Sequence, residues 1–213
     1  MQDIFIVGCG TYGEVMFELA EACGYNVVGF FDDCEEKKGT KVMNVKVLGK
    51  LLDFSEIKGS YFIVAIGNNK IRHDIMTLIN ERGGITPSII HPDAKISPSV
   101  KIGKGVYIHM GAIIWTKAII EDFSIISPNT VIGHHAHVGH SCLISITSVV
   151  GAYVNVGNYT MFGIGSIAIS GEIEIGENVM LGAGTTVIDN LESNVLAVGT
   201  PAKKIKDRIP ILE

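Results

Sequence analysis

Residues 113–148 divide into six hexads, IIWTKA IIEDFS IISPNT VIGHHA HVGHSC LISITS, each with an aliphatic residue in second place and a small one in sixth. The aliphatic series runs from Ile90, Ile96, Ile102 and Ile108 through this stretch to Val150, Val156 and Phe162 with no polar interruption. The small series starts at Ala94 and Ala112 and continues to Thr160 and Ser166, and glycine often follows the anchor, as at Gly103, Gly133 and Gly157. A helix repeats every ~3.6 residues and a half-buried strand every ~2, so neither keeps a spacing of six. A solenoid with a triangular coil does: each side takes one hexad and buries one anchor, so eighteen residues complete a turn. A sandwich of short strands has no reason to hold one spacing through thirteen anchors. The register slips by one near residue 168 and resumes at Ile169, Ile175, Leu181 and Val187, which predicts an extra residue held as a bulge or small loop.

Upstream the grammar is different. DIFIVGCG reads as a buried strand, YGEVMFELAEACG as an amphipathic helix ended by Gly24, and NVVGFFDD as a second strand. SYFIVAIGNN and NKIRHDIMTLINERGG supply a further strand and helix, so residues 1–85 form a small Rossmann-like α/β half domain with a parallel sheet. The β-helix is expected over 86–200 and a tail over 201–213.

The 17 Lys and Arg are scattered in a chain of net charge −5, which leaves no basic footprint for nucleic acid. No apolar run reaches the ~18 residues of a membrane span, and MQDIFIVGCG reads as a strand rather than a cleaved signal, so the expected location is the cytoplasm. Cysteines at 9, 23, 34 and 142 form no CxxC pair and no disulfide framework; they are expected to be free thiols. Cys142 falls in a small inward slot of the coil, where a nucleophilic role is not expected.

GCGTYG, between a strand and a helix, matches the G-x-G-x-x-G pattern in which backbone amides and a helix N-terminus meet a phosphate. Asp32 lies nineteen residues after Gly13, near the spacing of a ribose carboxylate in dinucleotide folds. The α/β segment is only half of such a domain, however, which argues against NAD.

VIGHHAHVGH, residues 131–140, holds four of the seven histidines and suggests a metal site at first sight. Zinc ligands must lie ~2 Å from one ion. On the hexad grid His134 and His140 fall on different sides of the coil, which leaves zinc only a site shared between copies. One turn beyond His134 comes residue 152, and stacked coils lie ~4.8 Å apart. An imidazole thus sits beside the backbone of Gly151 and Ala152, where a base and an N–H donor for an oxyanion meet. His135, His137 and His140 read as surface or interface residues, as do His91, His109 and Trp115.

VGCGTYGEV, FFDD, VAIGNNKIR, the hexads and the closing VLAVGTPAKKI together resemble the hexapeptide-repeat acyltransferases over nearly the whole chain. Within them the likeness is to bacterial sugar acetyltransferases related to sialic acid O-acetyltransferase and to N-acetyltransferases of nucleotide-linked 4-amino sugars. The resemblance implies a left-handed parallel β-helix, a homotrimer and acetyl-CoA bound between neighbouring helices. It implies a nucleotide-sugar held by Gly8, Gly10, Tyr12, Gly13, Asp32, Asp33, Gly67, Asn68 and Asn69, with Arg72 near phosphate. Tyr12 departs from the His common there.

For CoA the resemblance implies Gly151, Ala152, Ser170, Gly171, Lys203 and Lys204. It aligns the family's catalytic histidine with His134 and its carbonyl-binding amide with Ala152, the pair that the grid brings together. The acid that usually follows that histidine is His135 here, which leaves Glu121 and Asp122 as candidates to orient His134. A second family histidine near CoA is Leu143.

The function expected is N-acetylation of a UDP- or dTDP-linked 4-amino-4,6-dideoxyhexose in surface-polysaccharide or glycan biosynthesis, with no metal. O-acetylation of sialic acid or another sugar is the alternative. A non-catalytic trimeric scaffold and a zinc β-helix resembling carbonic anhydrase are the readings from other classes.

Overall fold

The computed structural model describes residues 1–211, and the chain divides into two compact units, Met1–His91 and Pro92–Glu213. Of the tail expected over 201–213, the last two residues lie outside the described residues.

The first unit runs β1 (Gln2–Val7), α1 (Thr11–Ala22), β2 (Tyr25–Phe31), β3 (Lys41–Val42), β4 (Val45–Gly49), β5 (Phe62–Val64) and α2 (Asn69–Glu81). The sheet order is β3-β4-β2-β1-β5, parallel except for the β3–β4 hairpin at the edge. Strands covered on both faces need continuous apolar runs. Ile4, Ile6, Phe30, Phe62, Ile63 and Val64 are accordingly shielded from solvent, and α1 closes the sheet with Met16, Phe17, Leu19 and Ala20. α1 stops at Cys23, and Gly24 follows at φ 81°, a left-handed residue that ends a helix as expected. Because β2 and β5 flank β1, the chain reverses direction across β1, and the crevice at the carboxyl ends of these strands is where such sheets bind ligands.

The second unit is a three-sided parallel β-helix. One side stacks Lys95–Ile96, Ile113–Ile114, Val131–Ile132, Val149–Val150, Ile167–Ala168 and Thr186–Val187. The second stacks Lys101–Ile102, Ile119–Ile120, His137–Val138, Asn155–Val156 and Glu174–Ile175. The third carries Tyr107–Ile108, Ile125–Ile126, Leu143–Ile144, Met161–Phe162, Met180–Leu181 and Val195–Val198, closed by the antiparallel strand Lys203–Asp207. Anchors from Ile108 to Phe162 all point into one apolar column with almost no exposure. The small inward positions hold hydroxyls that satisfy themselves on coil-corner carbonyls: Ser124 Oγ donates to Gly139 O at 2.8 Å and Ser148 Oγ to Gly163 O at 2.9 Å. Cys142 occupies the same slot, its thiol directed to Gly157 O at 3.2 Å.

At each corner from Lys117 to Tyr159 a non-glycine residue adopts φ between 56° and 65°, including His135 and Tyr153. Left-handed backbone costs an L-residue roughly 1–2 kcal/mol. Stacking offsets this, because each corner N–H donates to the coil before, Lys117 to the Ser99 hydroxyl and the later corners to carbonyls, His135 to Thr116 and Tyr153 to His134.

Two expectations need correction. The slip does not resume at Ile169: Ala168 is the buried anchor, Ile169 is exposed, and the next anchor is Ile175. The extra residue therefore lies within 169–174, where Ile173 turns inward and Gly171 reaches φ 152°. His109, expected at the surface, is 5% exposed.

Candidate active site

In the first unit the glycine loop turns tightly between β1 and α1. Gly8 stands at φ 99°, Gly10 caps α1 with open space around its Cα, and Gly13 packs so closely that a Cβ would lie 2.3 Å from Gly8 O. Asp32, at the end of β2, braces this loop. Its Oδ2 accepts from the Cys9 N–H and Sγ–H, both at 3.1 Å, and from Lys37 Nζ at 3.3 Å, while Oδ1 accepts from the Cys34 N–H at 3.0 Å. Burial opposes ionisation of Asp32, but these donors outweigh it and hold the carboxyl at about 2. Burial and the adjoining carboxylate push the Cys9 thiol up to about 11, so it remains a donor. The brace is thus intact above the carboxylate's unfolded-state pKa and is lost only as pH falls toward 2.

Beside it lies a cavity of about 310 Å³, lined by Val7, Gly8, Asp32 and Asp33 at the strand ends and by Leu51, Leu52, Ile66, Ile75 and Leu78. Apolar walls with a few polar groups at one end suit a flat ring with a polar edge. The leucines and Ile75 were not picked out from the sequence. The amphipathic face of α2, on which Ile75 and Leu78 lie, was the available signal.

The loop after β5 is self-braced. Asn68 caps α2 by accepting from the Ile71 N–H, and Asn69 Oδ1 accepts from Arg72. Arg72 is completely buried, and its guanidinium donates to the carbonyls of Ile66 at 3.1 Å and Gly67 at 3.4 Å. Arg72, expected near phosphate, thus braces the loop after β5. Burial pushes the Tyr12 phenol up against the opposing charge of Arg72, so Tyr12 stays neutral. Gly67, Asn68 and Asp33 remain exposed.

Asp32→Asn leaves an amide facing the N–H groups that the carboxylate now accepts, and charge-assisted bonds of this kind contribute about 1.5–3 kcal/mol each. KM for a nucleotide-linked substrate should rise about tenfold or more with a smaller change in kcat, as read by steady-state kinetics. An unchanged KM would remove the loop from substrate binding.

In the second unit the histidines disperse as the grid requires. His137 lies on a strand between Glu121, whose Oε1 is 2.8 Å from its Nε2, and Asn155, whose Oδ1 is 2.9 Å from its Nδ1. His140 meets Tyr159 edge-on. Among the described residues no three His, Cys, Asp or Glu gather as a metal site.

His134 sits half-buried at the corner before Ala152, flanked by Trp115, stacked at 6.5 Å between centroids, and by Tyr153, edge-on at 5.2 Å. Trp115 and Tyr153, both 52% exposed, form an aromatic surround that the sequence reading missed, although the eighteen-residue spacing from His135 to Tyr153 encodes it. Neither carboxylate candidate orients His134, since Glu121 is bound to His137 and Asp122 accepts from the Lys104 N–H at 2.8 Å. Instead His134 Nδ1 lies 3.1 Å from His135 Nδ1.

The Ala152 N–H donates to Ser170 Oγ at 3.1 Å, and Gly171 N–H returns to Ala152 O at 2.9 Å. Ser170 lies one regular coil of eighteen residues beyond Ala152, and the coil register thus places it and Gly171 against the Ala152 amide. An acyl oxygen bound there must displace the Ser170 hydroxyl or share its proton. Lys204, expected on CoA phosphates, is ion-paired with Glu192 and Asp207; Lys203 is exposed on the same strand.

Residues 3–79 match the PglD N-terminal domain model and residues 78–210 the GMPPB C-terminal domain model. No curated protein matches the chain. Among solved structures, PerB from Caulobacter crescentus in complex with CoA and GDP-perosamine is 32% identical, with TM-score 0.89 over 97% of this chain and 98% of its own. The acetyltransferase domain of PglB from Neisseria gonorrhoeae is 28% identical, with TM-score 0.89 over 96% and 100%. WeeI from Acinetobacter baumannii, at 20% identity and TM-score 0.86 over 96% and 100%, shares the fold. Sequence, left-handed β-helix and identity over full length agree: the chain belongs to the hexapeptide-repeat sugar acetyltransferases, in the group that contains the N-acetyltransferases of nucleotide-linked amino sugars.

Proposed function

We propose that the protein transfers an acetyl group from acetyl-CoA to the amine of a nucleotide-linked amino sugar, of the 4-amino-4,6-dideoxyhexose type, in surface-polysaccharide or glycan biosynthesis. The observation that carries this reading is a single chain with both a cavity at the ends of parallel strands, suited to a nucleotide, and an imidazole one coil from a backbone amide. The 32% identical relative in complex with CoA and GDP-perosamine supports the same substrate class.

The amine nitrogen attacks the thioester carbonyl, forming the C–N bond and a tetrahedral oxyanion. His134 Nε2 takes the proton from nitrogen and passes it to the CoA sulfur as the C–S bond breaks. The Ala152 N–H, with the Ser170 hydroxyl beside it, receives the oxyanion. Gly151, Gly171 and Lys203 line the proposed CoA path. Gly8, Gly10, Gly13, Asp32, Asp33 and Gly67 hold the nucleotide-sugar.

A homotrimer is part of this reading. Met110, Ile146 and Ile164 share one coil corner and are 54%, 44% and 58% exposed, an apolar stripe that suits a second copy. A monomer in sedimentation analysis would remove that element. A cytoplasmic location is in keeping with four free cysteines and with the lack, among the described residues, of a helix long and apolar enough to cross a membrane.

The test is acetyl transfer measured with GDP-, UDP- and dTDP-linked 4-amino sugars and with free sialic acid. Turnover of an amino sugar linked to one nucleotide is expected. Turnover of the hydroxyl substrate alone would overturn the amine reading in favour of O-acetylation.

A further inference from the structure

We propose that His135 is the positioning residue of this acetyl transfer: as a neutral acceptor it holds the proton of His134 on Nδ1 and so leaves the Nε2 lone pair for the substrate. The inference rests on His134 being the base. Two Nδ1 atoms 3.1 Å apart need one N–H and one lone pair between them. If His135 donates, His134 carries its own proton on Nε2 and has no lone pair left to use. If His134 donates, its Nε2 is a base, and the imidazolium formed in the reaction keeps a charge-assisted bond to His135.

The surroundings hold His135 in place for this task. Its backbone adopts φ 58° at a coil corner, its N–H is tied to Thr116 O at 3.0 Å, and its ring stacks on Tyr153 at 5.0 Å with an interplanar angle of 18°. Backbone and stacked ring thus restrain the exposed His135 side chain, and what the contact leaves open is which nitrogen carries the proton. Neither Glu121 nor Asp122 competes for His134 Nδ1, as the first is bound to His137 and the second to the Lys104 N–H.

Corners of this same chain supply conservative variants. Phe123 and Asn129 occupy equivalent corners at φ 61° and 57°, so both side chains are compatible with the backbone at 135. His135→Phe keeps a ring to stack on Tyr153 and removes the acceptor, whereas His135→Asn keeps an acceptor oxygen near the place of Nδ1. His135→Phe should lower kcat at least about tenfold with both KM values within about twofold, and His135→Asn should recover to within about threefold of wild type. Nitrogen NMR of isotope-labelled histidine should find His134 as the Nδ1–H tautomer in wild type and His135→Asn, and shifted toward Nε2–H in His135→Phe.

Wild-type kcat in folded His135→Phe, or equal loss in the Phe and Asn variants, would overturn the proposal. Full activity in His134→Ala would instead refute the base assignment beneath it, so the two failures are distinguishable.

Discussion

His134→Ala and His134→Asn should lower kcat by about 10²–10⁴-fold, the range supplied by a positioned general base, while CoA affinity by calorimetry stays within about threefold. The selectivity of the effect follows from where the residue stands. His134 is a half-buried corner residue whose ring touches Trp115, His135 and Tyr153 and contributes nothing to the apolar column. Its removal leaves the coil hydrogen bond from the Tyr153 N–H to residue 134's carbonyl intact, so the fold should persist. A raised KM with unchanged kcat would make His134 a binding residue rather than a base. Turnover within about threefold of wild type would remove it from the reaction altogether. The Asn variant adds information, since it retains polarity but offers no basic nitrogen.

The solenoid was legible in the sequence because an inward anchor has few chemical options: from Ile108 to Phe162 every sixth residue is apolar and every one is buried. The same logic misled at the register slip. Ile169 is the larger hydrophobe and so looked like the anchor, but Ala168 fills the slot while Ile173 turns inward two residues before the next anchor. Local composition ranks side chains by transfer energy, whereas the coil ranks them by stacking on the turn below.

Side-chain partners were the least readable feature. Arg72 and Lys204 carry the right sign for phosphates, and the structure adds that the first is buried against loop carbonyls and that the second, still partly exposed, lies between Glu192 and Asp207. A sequence shows the donor but not the acceptors around it. His135 is exposed, as its surface reading expects, and it stands where relatives carry an acid; an imidazole nitrogen is also an acceptor when its tautomer is fixed.

Gly151→Ala should be the most damaging single-methyl change in the second unit. A Cβ there would lie 2.4 Å from Ser170 N, 2.5 Å from Ile169 C and 2.7 Å from Ala168 O, all backbone atoms of the next coil. Flexible side chains can yield to a methyl group, but the coil below is held by its own ladder, with the Gly151 N–H bound to Ala168 O at 2.9 Å. Overpacking against such a wall costs about 3 kcal/mol, or a fall of roughly 10 °C in Tm for a unit of this size. The coils must part beside the place where Ser170 meets the Ala152 amide, so kcat should fall along with Tm. Gly184→Ala provides the contrast: its φ of 67° is left-handed, but no atom lies within 4 Å of an added Cβ. That variant bears only the backbone term of about 1 kcal/mol and should lose a few degrees at most. Equal melting temperatures for the two variants would mean that the coils are not in close contact at Gly151, and the placement of Ala152 beside Ser170 would fall with that contact.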